Sequence, residues 1–156
     1  MIVNNRYIKN LLLVCLFTLS SIAFPQDIAF KNTNFKQDKQ ALKLAKENIA
    51  IADEIRENGI EKILEMQDSD IIFRKAIFHY NKAQIFNPNN AELHYKIGSS
   101  WLFTNHKERA YDYLVKAREL NLDLPSDFLF YYGMSLQLNG DYTASIEQFE
   151  QFIATA

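Results

Sequence analysis

The residues of this chain whose types could do chemistry are three histidines, one cysteine, two close acidic pairs and a serine pair. His79, His94 and His106 stand in different segments, without the H-E-x-x-H arrangement or any paired spacing that would bring two imidazoles to one metal ion. Asp53-Glu54 and Asp68/Asp70 could in principle divide acid and base roles, but on a helical surface such pairs usually serve solvation. Ser99-Ser100 lacks the strand-turn-helix setting of an activated nucleophile, and no glycine-rich phosphate loop or cofactor turn occurs. The expectation is a chain without catalysis, cofactor or metal, and with no small-molecule substrate.

The elements that must position these residues follow from composition. The 156 residues are 48% hydrophobic, with twelve Phe and eight Tyr but only four Gly and three Pro. That is enough for one core, and too little turn-forming residue for many hairpin strands, so an all-α class is expected. The formal charge of −2 comes without a basic cluster, which argues against a nucleic-acid partner.

The first residues form a segment of their own. Arg6 and Lys9 precede "LLLVCLFTLSSIAF", which ends near small residues and is followed by Pro25 and Asp27. This is the layout of an export signal, read here as residues 1–26, with cleavage after Ala23 or after Gln26. The apolar run from Leu11 to Phe24 is shorter than the roughly 20 residues a membrane-spanning helix needs. Cys15 follows Val14 rather than the small residue expected before a lipidated cysteine. With Cys15 removed, the exported chain holds no thiol for a disulfide, nucleophile or metal site. An exported protein of the periplasm or outer membrane is expected.

Residues 27–38 read as a polar lead-in carrying Phe30 and Phe35. A helix should begin at Asp38, whose carboxylate can cap "KQALKLAKENIAIADEIREN", with Leu42, Ala45, Ile49, Ala52 and Ile55 in one apolar stripe. Gly59 is placed to end it. A second helix, Asp70 to Phe86, carries Phe73, Ala76, Ile77, Tyr80 and Ala83, and Pro88 stops it. Asn90 or Asn89 then caps the next helix, and a last one runs from Thr143 to Ala154.

Within this pattern similar residues return at a nearly fixed interval. Ile97, Gly98, Trp101, Ala110, Leu114 and Ala117 are answered by Tyr132, Gly133, Leu136, Ser145, Phe149 and Phe152, with Gly140-Asp141-Tyr142 between the later helices. Before them, Ala76, Tyr80, Ala83 and Pro88 repeat the second-helix half. Small residues such as Gly98 and Ala110 are expected to let paired helices approach, and Trp101, Leu114, Tyr80 and Phe149 to fill the space between hairpins.

These motifs resemble the tetratricopeptide repeat. The resemblance implies a right-handed α-solenoid of about three helix-turn-helix hairpins over 39–156, with units at 45–90, 91–124 and 126–156. The first unit carries about a dozen inserted residues around Ile60 to Ile71. His94 stands where the family usually has Trp, which implies a packing role, while His79 and His106 are expected in solvent. Asn105 replaces the usual turn glycine and could take the left-handed conformation.

The export signal followed by "FNPNNAELHYKIGSSWLF" and "FYYGMSLQLNGDYTASIEQFEQFI" is also similar to the amino-terminal repeat segment of Gram-negative envelope proteins. Those proteins continue into a β-propeller and an OmpA-like peptidoglycan-binding domain, some being linked to type IX secretion and gliding. The resemblance implies location and scaffold only, and any such continuation lies outside this chain. The final helix ends on Phe149, Phe152 and Ile153, without the polar closing helix usual in solenoids, so more chain, a second protomer or a partner is expected to cover it.

In repeat register the first helices should line a concave groove with Ile49, Asp53 and Arg56, then Tyr95, Ser99 and Leu102, then Phe130, Met134 and Gln137. That mixture suits an extended peptide or a helix of another envelope protein. Packing of these side chains against the neighbouring repeat or the lead-in is the plainer reading. The expected function is a non-catalytic interaction scaffold; the alternative is a structural spacer or self-association module.

Overall fold

The computed structural model describes residues 26–121 and 123–155, so residues 1–25 of the expected export signal, Cys15 included, lie outside the described residues. All regular structure among them is helical. Helix α1 spans Lys39–Leu64, α2 Asp70–Phe86, α3 Ala91–Trp101, α4 Ala110–Leu120, α5 Phe128–Leu138 and α6 Tyr142–Thr155, with a 3-10 turn at Lys107–Arg109 before α4. Among these helices none is long and apolar enough to cross a membrane. α1 packs on α2, α3 on α4 and α5 on α6, while successive hairpins meet through α2–α3 and α4–α5.

The core follows the expected stripes. Leu42, Ala45 and Ala52 of α1 are buried against Phe73, Ala76, Ile77, Tyr80 and Ala83 of α2, with Ile49 and Ile55 half-buried at the edge. Within each hairpin a large side chain sits on a glycine of the facing helix. A Cβ at Gly98 would lie 2.7 Å from Leu114 Cγ, and one at Gly133 would lie 2.8 Å from Phe149 Cε1. Leu114 and Phe149 thus fill their own hairpins rather than the space between hairpins. Gly98 meets Leu114, one turn beyond Ala110, whereas Ser145 does face Gly133, donating to its carbonyl at 2.8 Å.

Three local expectations are corrected. Gly59 does not end the first helix: it is buried inside α1, where a Cβ would lie 2.9 Å from Phe73 Cε2, and the helix continues to Leu64. The inserted residues therefore lengthen this hairpin by helical turns instead of forming a loop. The left-handed residue of that connection is Met66, at φ 56°, and Gly140, at φ 87°, supplies the later turn; Asn105 is not in that region. Its amide instead donates to Asp70 Oδ1 at 2.8 Å, which ties the α3–α4 connection to the start of α2. Asp38 precedes α1, but its side chain makes no capping bond. Asn90 does cap α3, accepting from the Leu93 amide at 2.9 Å.

The lead-in is ordered along the junction of the first two hairpins. The Ile28 amide donates to the Asn89 carbonyl at 2.7 Å, and Asn87 Nδ2 donates back to the Ile28 carbonyl at 2.7 Å. Asp27 accepts from the Ala91 amide at 2.9 Å, placing a carboxylate at the positive end of α3, and from Asn121 at the end of α4 at 3.3 Å. Phe35 packs on Phe86 with its ring tilted at 43° and 4.8 Å between centroids, which covers the lead-in's apolar side.

Candidate functional face

The first helices of the three hairpins share one face, and its polar groups are bonded across helix boundaries. Asp53 of α1 accepts from Tyr80 Oη at 2.6 Å and from Lys96 Nζ of α3 at 2.9 Å. Lys96 also pairs with Glu92 at 3.2 Å, so the cation bridges two carboxylates. One turn further along α1, Arg56 Nη2 donates to Ser99 Oγ at 3.4 Å. Tyr95 of α3 donates to Asp127, just before α5, at 2.6 Å. Tyr131 of α5 lies within the influence of the Arg56 charge. The strip therefore runs from α1 over α3 to α5.

The electrostatics are those of a partly dry surface. Burial, the bond to Asp53 and its negative charge push the Tyr80 phenol far up, and burial with the Asp127 carboxylate does the same at Tyr95. Burial also raises Tyr131, opposed by the nearby Arg56 guanidinium. The Tyr80 and Tyr95 hydroxyls therefore stay protonated and committed to Asp53 and Asp127 throughout the neutral range. Among the described residues Arg56 forms no ion pair, and its Nε is buried without a hydrogen-bond partner.

The nine residues expected to line a groove fall into three groups. Asp53 and Arg56 are half-buried on the strip. Tyr95, Ser99 and Leu102 belong to the same region but are buried, Tyr95 under Phe128, Tyr131 and Asp127 of the next hairpin. They support the face rather than present it. Phe130 is exposed and clusters with Phe149 and Phe152, Met134 is half-buried against the core, Gln137 is exposed, and Ile49 packs at the core edge.

Sequence reasoning missed Lys96, Asp127, Tyr80 and Tyr131 as members of the strip. Lys96 adjoins Tyr95 in sequence, but its role is set by Asp53, in another hairpin. Tyr80 was read as core, which it is, and only its hydroxyl reaches the face.

The remaining polar candidates are structural. His94 is buried, its Nε2 2.8 Å from the Pro88 carbonyl and its Nδ1 3.4 Å from Gln84 Nε2, and burial lowers its pKa. His79, expected in solvent, is half-buried and pairs with Asn48 at 3.0 Å. Both Ser99 and Ser100 direct their hydroxyls to the Lys96 carbonyl, which leaves neither poised as a nucleophile. No group of three His, Cys, Asp or Glu side chains among the described residues could hold a metal ion. No known family model matches the chain, and a search of curated proteins finds no match either.

Proposed function

We propose that this protein is a non-catalytic interaction scaffold of the cell envelope, and that its three hairpins form a right-handed solenoid of tetratricopeptide type. The recurrent seating of a large side chain on a glycine, Leu114 on Gly98 and Phe149 on Gly133, supports the repeat reading. The amino-terminal export signal supports the location.

The observation that carries the functional reading is the strip itself. Three helices distant in sequence are joined by bonds between buried side chains, Tyr80, Tyr95 and Ser99, and half-open ones, Asp53, Arg56, Lys96 and Asp127, which leaves a polar surface bordered by Tyr131. Such a surface binds by supplying polar groups already held in place, with little ordering cost, and it suits a peptide or helix of another envelope protein.

A displayed random-peptide library selected against the purified protein tests this. Enriched peptides should bind the parent, lose at least tenfold in affinity with Met134→Arg or Gln137→Arg, and be indifferent to Lys75→Glu on the outer side. Absence of enrichment, or binding untouched by both inner substitutions, would remove the groove reading.

A further inference from the structure

The main packing between hairpins follows one pattern: the second helix of one receives the first helix of the next, α2 receiving α3 and α4 receiving α5. Among the described residues α6 is a second helix that receives nothing, and α1 is a first helix that nothing receives.

The repeat register shows that both free faces match the joined ones. Ile77 of α2, Tyr111 of α4 and Ile146 of α6 occupy one slot; Ile77 is 3% exposed, Tyr111 is half-buried, and Ile146 is 57% exposed. In the slot a further two turns on, Gln84 contacts His94 of α3 at 3.4 Å and Arg118 lies 5.3 Å over the Tyr132 ring of α5, while Ile153 is 73% exposed. On the opposite side of the junction Ile97 and Tyr132 are buried, but Ile51, in their slot on α1, is 42% exposed, and Leu44, one heptad before it, is 60% exposed.

Charge adds a direction. From Pro125 to Ala156 the sequence carries Asp127, Asp141, Glu147 and Glu150 and no Lys, Arg or His. The opening turns of α1 carry Lys39, Lys43 and Lys46 against a single acid, Glu47, which pairs with Lys43 at 3.8 Å. We propose that α6 of one copy receives α1 of a second copy, head to tail, repeating between molecules the junction that α4 and α5 make within one. Two α6 faces meeting each other would instead oppose like charges. Because a head-to-tail contact leaves one free face at each end, copies would add into open chains as concentration rises. The proposal is independent of the peptide-binding face, since none of Leu44, Ile51, Ile146 and Ile153 lies on it.

Sedimentation velocity of the exported protein over a wide concentration range tests this. The parent should pass from monomer to dimer and beyond. Leu44→Glu/Ile51→Glu and Ile146→Glu/Ile153→Glu, all four at exposed positions, should each remain monomeric. Mixed together, they should return a species of twice the monomer mass and nothing larger, because each supplies the face the other lost. A parent that stays monomeric throughout, a Leu44→Glu/Ile51→Glu variant that still dimerises alone, or a mixture that fails to pair would each overturn the proposal.

Discussion

Gly98→Ala tests the hairpin crossing through one added methyl group. The new Cβ would lie 2.7 Å from Leu114 Cγ, 3.0 Å from Leu114 Cδ2 and 3.1 Å from Tyr113 Cβ, against an ordinary carbon contact of about 3.5–4.0 Å. The first of these is the branch atom of a fully buried side chain, so relief requires moving Leu114 bodily or separating α3 from α4. Overpacking of this kind costs about 1–3 kcal/mol, while alanine returns about 1 kcal/mol of helix propensity. The net expectation is a loss of about 1 kcal/mol, or roughly 4 °C in Tm for a domain of this size. Leu114→Ala alone should cost about 2–5 kcal/mol through its cavity. In that background the clash is gone, and Gly98→Ala should become stabilising by up to about 1 kcal/mol, a coupling of about 2 kcal/mol between the two sites. Urea unfolding of the four proteins measures all the terms. An equal effect of Gly98→Ala in both backgrounds, or stabilisation of the parent, would refute the argument that Leu114 seated on Gly98 sets the crossing.

The other perturbations address the polar contacts. Asp27→Ala removes the acceptor for the Ala91 and Asn121 groups and should cost about 1–2 kcal/mol in urea unfolding, with faster amide exchange at Ala91; an unchanged exchange rate would count against the tie. Tyr95→Phe leaves Asp127 without its phenol donor and should cost about 1 kcal/mol, whereas an unchanged melt would mean that the 2.6 Å bond has no net worth. Burial lowers the folded-state pKa of His94 below 6.5, with the Lys116 charge adding to the shift and the Pro88 carbonyl opposing it. Between 6.5 and that lowered value the unfolded chain binds the extra proton, so the stability from neutral His94 is present above 6.5 and is lost as pH falls through this window. His94→Gln should flatten the decline measured by urea unfolding, and an identical slope would show that other groups carry it.

What was legible in the sequence divides along a physical line. Stripes that bury apolar side chains within one hairpin were readable, because periodicity alone assigns the face: Phe73, Ala76, Ile77, Tyr80 and Ala83 are buried together as their spacing requires. Gly59 was misread for the same reason. A glycine after Asn58 looks like a helix end, and only Phe73, across the hairpin, shows that it is a packing site. The true end is marked by Met66 at positive φ, an exposed residue with no turn signature, held there by local capping bonds in which the Gln67 amide donates to the Lys62 carbonyl at 2.9 Å. The shared face was the least legible, since partners such as Tyr95 and Asp127 depend on how far one hairpin is rotated against the next, and no local period encodes that angle. Residues that make such bonds are buried by them, which is why Tyr95 and Ser99 were expected to meet a ligand and instead hold neighbouring helices. The surface left to a partner is therefore what the bonds leave half-open, Asp53, Lys96 and Arg56. A ligand there meets donors and acceptors already oriented by other pairs, so it gains fixed geometry but must compete with existing bonds for them.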